Sequence, residues 1–217
     1  MPIPEFIVAL REKIGHDPLW LIGATAIVVR PHGEDAAGRD SAEAAVNSTG
    51  TADAVAAPRV GRGLRAVDRE IWSAGDGSED VLLVQRADDG LWAPVTGVVD
   101  PGEHPALTAV RETLEETRVT AEIERLAQVH VTDMVTHANG DLAQYTGLVF
   151  RCRYVSGDAG VGDDESRDAR WWPTSLLPPM RQVHRDAIHA AIRPEPLCEL
   201  RDGDRIFPVF APNAVAN

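Results

Sequence analysis

The sequence has little with which to staple itself or to enter a membrane. Two cysteines, Cys152 and Cys198, in 217 residues cannot build a disulfide framework. An excess of cations is also missing, since 21 lysines and arginines stand against 34 acids, a net charge of −13. That is the reverse of the balance that tracks a phosphate backbone, so no nucleic acid is expected as a partner. A polyanionic small ligand would need a cation at its site. The longest apolar run, Leu19 to Val29, contains Gly23 and Thr25 and stops at Arg30, well short of the roughly 20 residues of a membrane span. No basic segment leading into an apolar core opens the sequence, so cytoplasmic residence without membrane contact is the expectation. With 44% hydrophobic and 25% charged residues, the chain otherwise has the composition of an ordinary globular protein.

Ile3, Phe6, Ile7, Leu10 and Ile14 recur at helical spacing ahead of Gly15, which predicts a short amphipathic helix. Leu19 to Val29 is rich in β-branched residues and reads as an interior strand. From Gly33 to Gly61 the composition turns to Ala, Gly, Asp, Ser and Thr, too little apolar surface to offset ordering entropy, and an insertion spanning about 33–80 is expected to be mobile. Val81 to Arg86 and Leu91 to Val99 should form a hairpin around Asp88-Asp89-Gly90. A helix from Pro105 to about Thr117, strands over Ile123 to Met134 and Leu142 to Val155, a short strand at Ala169 to Pro173 and a last helix over Pro179 to Arg193 complete the pattern. Without a strict strand–helix repeat, this order predicts a mixed β-sheet with helices packed on it, of α+β type within the α/β class. Residues 1–195 are expected to form one domain and 196–217 a tail.

Chemistry concentrates between Gly97 and Val119. Projected at about 100° per residue, the helix separates Leu107, Val110 and Leu114 from Thr108, Glu112, Glu115 and Glu116 on the opposite face. The three carboxylates share one patch at spacings of three and four. Glu103, just ahead of the helix, can fold back over that patch, and the loop Asp100-Pro101-Gly102 is built for a turn. Carboxylates about 4 Å apart repel by roughly 4 kcal/mol at an effective dielectric near 20, so a partly buried cluster must protonate or bind cations. Oxygen donors without histidine or thiolate select hard ions, Mg²⁺ or Mn²⁺. Such ions most often support phosphoryl transfer or phosphoanhydride hydrolysis.

Gly97, five residues, Glu103, seven residues, then Arg111-Glu112-x-x-Glu115-Glu116 resembles the box of the Nudix (MutT-like) hydrolases. The resemblance implies the Nudix fold, a mixed sheet between helices in an α/β/α sandwich. It also implies Mg²⁺ held by Glu112, Glu115 and Glu116, with Glu103 as a further ligand or supporting acceptor. Arg111 would hold a glutamate in place, the Gly97 carbonyl would contact metal, and one glutamate would activate water. Glu165, in the acidic run Asp163-Asp164-Glu165, matches a place where the family often carries an additional acid. Two positions depart from the box. Thr113 replaces a bulky aliphatic, and Arg118 replaces the Gly that ends the helix in the left-handed conformation, at a cost of about 1–2 kcal/mol.

The expected activity is hydrolysis of a nucleoside diphosphate linked to another group, with a nucleoside triphosphate, ADP-ribose or an NDP-sugar all open as substrates. Beside the nucleotide, a homodimer is the partner to expect. The rival reading is a catalytically weak nucleotide sensor on the same fold. Supporting residues carry less weight. Trp92 and Trp172 suit core packing better than base stacking, and Gln144 and Tyr145 could face a cleft. Arg151 and Arg153 share a strand face and should pair with acids before they bind phosphate. His130, His137, His184 and His189 show no ligand spacing and read as surface histidines.

Overall fold

A computed structural model describes residues 3–33, 73–194, 197–202 and 205–207. Its elements, in order, are α1 (Glu5–Ile14), β1 (Leu19–Pro31), β2 (Glu79–Arg86), β3 (Trp92–Ala93), β4 (Val95–Val98), α2 (Pro105–Thr117), β5 (Thr120–Val131), β6 (Val135–Thr136), β7 (Leu142–Ser156), β8 (Ser166–Pro173), α3 (Gln182–Ile192), β9 (Glu199–Asp202) and β10 (Arg205–Phe207). The expected insertion lies for the most part outside the described residues. Its last stretch is tied down, with the Ala74 and Gly75 amides donating to the Thr174 carbonyl at 2.8 and 3.1 Å.

The mixed sheet is centred on β1, which pairs in parallel with β7 and antiparallel with β4 at its middle and β2 at its end. Buried continuously from Gly23 to Arg30, β1 has two covered faces, and so its sequence shows no alternation. Pro94, which has no N–H to give a ladder, divides the expected second arm of the hairpin into β3 and β4. Beyond the last helix, β9 adds in parallel to β5, and β10 folds back on β9.

Ala24, Ala26 and Val28 of β1 pack with Val95 and with Ala109 of α2 on one face. Ile27 and Val29, of opposite parity, pack with Trp92, Trp172 and the Ala187, Ile188 and Ala191 side of α3. Lower on that second face, Leu21 and Ala143 meet Ile7 of α1. The layers are therefore helix, sheet, helix. Among the described residues, no helix is long and apolar enough to cross a membrane.

Two of the four histidines expected at the surface, His130 and His184, are only partly exposed. His130 sits against Gly147, where a Cβ would come within 2.2 Å of its ring, and burial lowers its pKa. The Nδ1 of His184 is enclosed, and burial, reinforced by Arg181 and Arg86, pushes this histidine down to about 3.

Candidate active site

Helix α2 begins where the sequence said it should. The His104 ring accepts the Ala106 N–H at 3.2 Å, and Pro105 occupies the first turn, where its missing N–H is harmless. The helix ends at Arg118, which adopts the left-handed conformation (φ 62°, ψ 12°) that the family box assigns to glycine, with its N–H on the Leu114 carbonyl at 2.9 Å.

The face buried by α2 is the opposite of what the apolar pattern indicates. Leu107 and Leu114 are 60% and 52% exposed, whereas Glu112 and Glu116 are 2% and 6% exposed and Thr108, Ala109, Thr113 and Thr117 are buried. Small residues and self-satisfied hydroxyls make this possible. Thr113 donates to the Ala109 carbonyl at 2.7 Å and Thr117 to the Thr113 carbonyl at 2.5 Å, so neither hydroxyl is stranded. Room for a glutamate against the sheet comes from Gly97 on β4, where a Cβ would lie 2.3 Å from the Glu112 carboxyl. Glu112 and Glu116 are thus packed between helix and sheet, while Glu115 on the same helix stays exposed.

Arg111 gathers three of the four glutamates of the box. Its Nε and Nη2 donate to Glu103 at 3.0 Å each, a two-point grip, while Nη1 reaches Glu112 at 2.9 Å and Glu115 at 3.0 Å. Glu103 also accepts the Thr108 hydroxyl at 2.7 Å. The guanidinium and that hydroxyl hold the Glu103 carboxyl down at about 2. Glu112 is raised instead, because burial outweighs the pull of Arg111. Glu116 lies outside this grip. Burial, then Glu112 and Asp163, push it up to about 8.

The acid loop after β7 docks on the C-terminal end of α2. The amides of Gly160 and Gly162 donate to the carbonyls of Thr117 (3.1 Å) and Glu116 (2.9 Å). A Cβ on Gly162 would fall 1.9 Å from the Glu115 carbonyl, so the approach requires glycine. Two cavities flank the resulting ridge. One, of about 550 Å³, is lined by Glu116, Glu165, Asp164, Arg86, Thr96 and Pro94 among others, and one of about 470 Å³ by Glu112, Glu115, Glu165, Asp163, Arg111 and Phe6 among others. Glu165 borders both.

The structure therefore brings together Gly97, Glu103, Arg111, Glu112, Glu115, Glu116 and Glu165. Of the lesser candidates, Trp92 and Trp172 stack edge to face in the core at 5.2 Å. Gln144 is spent on Trp20 and the Thr132 carbonyl, and Tyr145 on His137. Arg151 pairs with Glu79 and Glu124, and Arg153 with Glu122. None of these six lines either cavity. Sequence reasoning missed Arg86, which ends β2 and is fixed by Asp88 at 2.7 and 3.0 Å, close enough to Glu116 for the charges to attract. Only the register of β2 against the helix could have revealed it.

Among the described residues, no three or more acids, histidines or cysteines already converge on a point that would hold an ion. The donor set still fits one. It is all oxygen, and Glu116 is a buried carboxylate beside two others, whose charge a hard cation would offset. Glu112 and Glu116 would hold it, joined by Glu115 on leaving Arg111.

A model of the NUDIX domain matches residues 71–191, more than half of the chain. The chain belongs to the NUDIX domain family. Over 113 residues it is 31% identical to the NAD-capped RNA hydrolase NudC of Pseudomonas aeruginosa, a match covering 51% of this chain and 38% of that protein. Over 133 residues it is 30% identical to a MutT-like protein of Streptomyces ambofaciens, covering 59% and 79%. Among solved structures, a MutT NUDIX hydrolase from Burkholderia pseudomallei is 19% identical, with a TM-score of 0.44 and coverage of 81% of this chain and 99% of that one. The NUDIX match begins after β1, so α1 and the central strand lie outside it.

Proposed function

We propose that the chain is a Mg²⁺-dependent pyrophosphohydrolase that cleaves the phosphoanhydride of a nucleoside diphosphate linked to a second group. The observation that carries this reading is the burial of Glu116 and Glu112 against the sheet at the meeting point of two cavities. Burying like charges side by side costs stability, and the arrangement makes sense where a divalent cation and an anionic substrate complete it. Mg²⁺, or Mn²⁺ in its place, would neutralise the phosphate oxygens and lower the pKa of a bound water. Gly97, Glu112, Glu115 and Glu116 would hold the ion, with Glu103 fixing Arg111 and Arg111 fixing the glutamates. Water forms a new P–O bond as the bridging P–O bond breaks, and its proton passes to Glu116 or Glu165, which border the larger cavity together with Asp88 and Asp164. The relatives' names, an NAD-capped RNA hydrolase and a MutT-like protein, support a nucleotide substrate without choosing one.

The test is incubation with nucleoside triphosphates, ADP-ribose, NDP-sugars and dinucleoside polyphosphates, with and without Mg²⁺, and separation of the products by chromatography. Metal-dependent cleavage of one class is expected. A folded protein that binds nucleotide and cleaves none would instead be a sensor.

A further inference from the structure

Helix α1 sits at the edge of the smaller cavity. Pro4, Glu5 and Phe6 line it together with Val98, Pro101 and the box residues Arg111, Glu112 and Glu115. Phe6 is the one aromatic side chain among the described residues lining either cavity. Its ring is half-buried, resting on the cluster of Ile7, Leu21 and Ala143.

The helix is held firmly at its far end. Arg11 donates to the carbonyls of Leu142 at 2.8 Å and Asp17 at 2.5 Å and lies 3.4 Å from Asp141, whose other oxygen is 2.7 Å from the His16 ring. Ile7 is buried beneath it. Phe6 therefore has a fixed position relative to β4 and the acidic ridge, and needs no ordering when a ligand arrives.

A diphosphate lying across Glu112 and Glu116 leaves its nucleoside to one side or the other. The larger cavity offers Val84, Arg86, Ala87, Pro94 and Thr96 but no aromatic ring. The smaller one offers Phe6, with the carboxylates of Glu5 and Asp100 as acceptors for the N–H groups of a base. Stacking a base on an aromatic side chain is worth about 1–3 kcal/mol and tolerates any base, since each has a π-face.

We propose that Phe6 is the stacking platform for the base of the nucleotide substrate, which makes α1 the part of the site that selects a substrate bearing a base over one without. The inference rests on the hydrolase reading above, and its test separates the two. The full-length chain in Mg²⁺ is titrated calorimetrically with AMP, GMP and ribose 5-phosphate, for the wild type, Phe6→Leu and Phe6→Trp. Leucine keeps the apolar packing on Ile7 and Val98 and removes the π-face, and a thermal melt checks that the fold is retained.

Wild type should bind the nucleotides about tenfold more tightly than ribose 5-phosphate, and Phe6→Leu should lose most of that preference while leaving ribose 5-phosphate unaffected. Phe6→Trp should restore it. Equal affinity for all three ligands in the wild type, or an equal loss for all three in Phe6→Leu, overturns the proposal. Hydrolysis is measured separately. Metal-dependent cleavage with no effect of Phe6 on base preference refutes Phe6 alone, whereas ring-dependent binding without cleavage of any substrate refutes the hydrolase and leaves the base platform standing.

Discussion

Glu116→Gln should abolish turnover in Mg²⁺ and, in protein stripped of divalent ions with EDTA, should stabilise the fold at alkaline pH. Glu116 titrates at about 8 in the folded chain against an ordinary value of 4.5. Between those values the folded state holds a proton that the unfolded chain has released, so stability falls as pH rises through this window. At about 1.4 kcal/mol per pH unit the loss reaches on the order of 5 kcal/mol by pH 9, a large share of the stability of an ordinary domain. Glutamine keeps the shape and carries no charge, and it also relieves Glu112 of a like-charged neighbour. Urea melts of both proteins at pH 5, 7 and 9 would measure this, with a gap that opens in favour of the variant as pH rises. Excess Mg²⁺ should close the gap from the wild-type side by binding the ionised form. A difference that stays constant from pH 5 to pH 9 would refute the buried-charge argument.

Substitutions at three further positions probe the frame around the acids. Arg118→Gly removes the strain of a side chain at φ 62°; after the greater freedom of glycine in the unfolded chain is subtracted, it should stabilise by about 1 kcal/mol, read as a rise of a few degrees in Tm, while Arg118→Ala should change little. Gly97→Ala drives a Cβ to 2.3 Å from the Glu112 carboxyl, so metal-dependent hydrolysis should fall by roughly a hundredfold with a melting point lowered by several degrees. Gly162→Ala meets the Glu115 carbonyl at 1.9 Å and should lift the acid loop from α2, reducing kcat more than it changes the affinity for nucleoside monophosphate; an unaltered kcat would show that Glu165 plays no part.

What the sequence disclosed best was the set of charged groups, because their spacing along one helix and its preceding loop is local. Gly97, Glu103, Arg111 and the three helix glutamates assemble as that spacing implies, with Glu165 beside them. The orientation of α2 was hidden. Its leucines point to solvent because the buried side is matched to a glycine on β4, a pairing that no helical periodicity can express. Arg86 and Phe6 were hidden for a similar reason, since both reach the cavities through strand register and helix docking. The strands β9 and β10 come from a short, weakly patterned tail whose place beside β5 is set by the edge it covers.

The docking of the acid loop on α2 has a mechanical corollary. Glu116 and Glu165 belong to segments separated by a helix end, two long strands and their turns, yet the Gly160 and Gly162 amides fasten one segment to the backbone of the other. When the sheet breathes or the helix shifts by a few tenths of an ångström, the two carboxylates travel as passengers on a single body. Their mutual distance is thereby insulated from thermal motion in the rest of the molecule. The amides of those two glycines should consequently exchange with deuterium far more slowly than is usual for a glycine-rich loop.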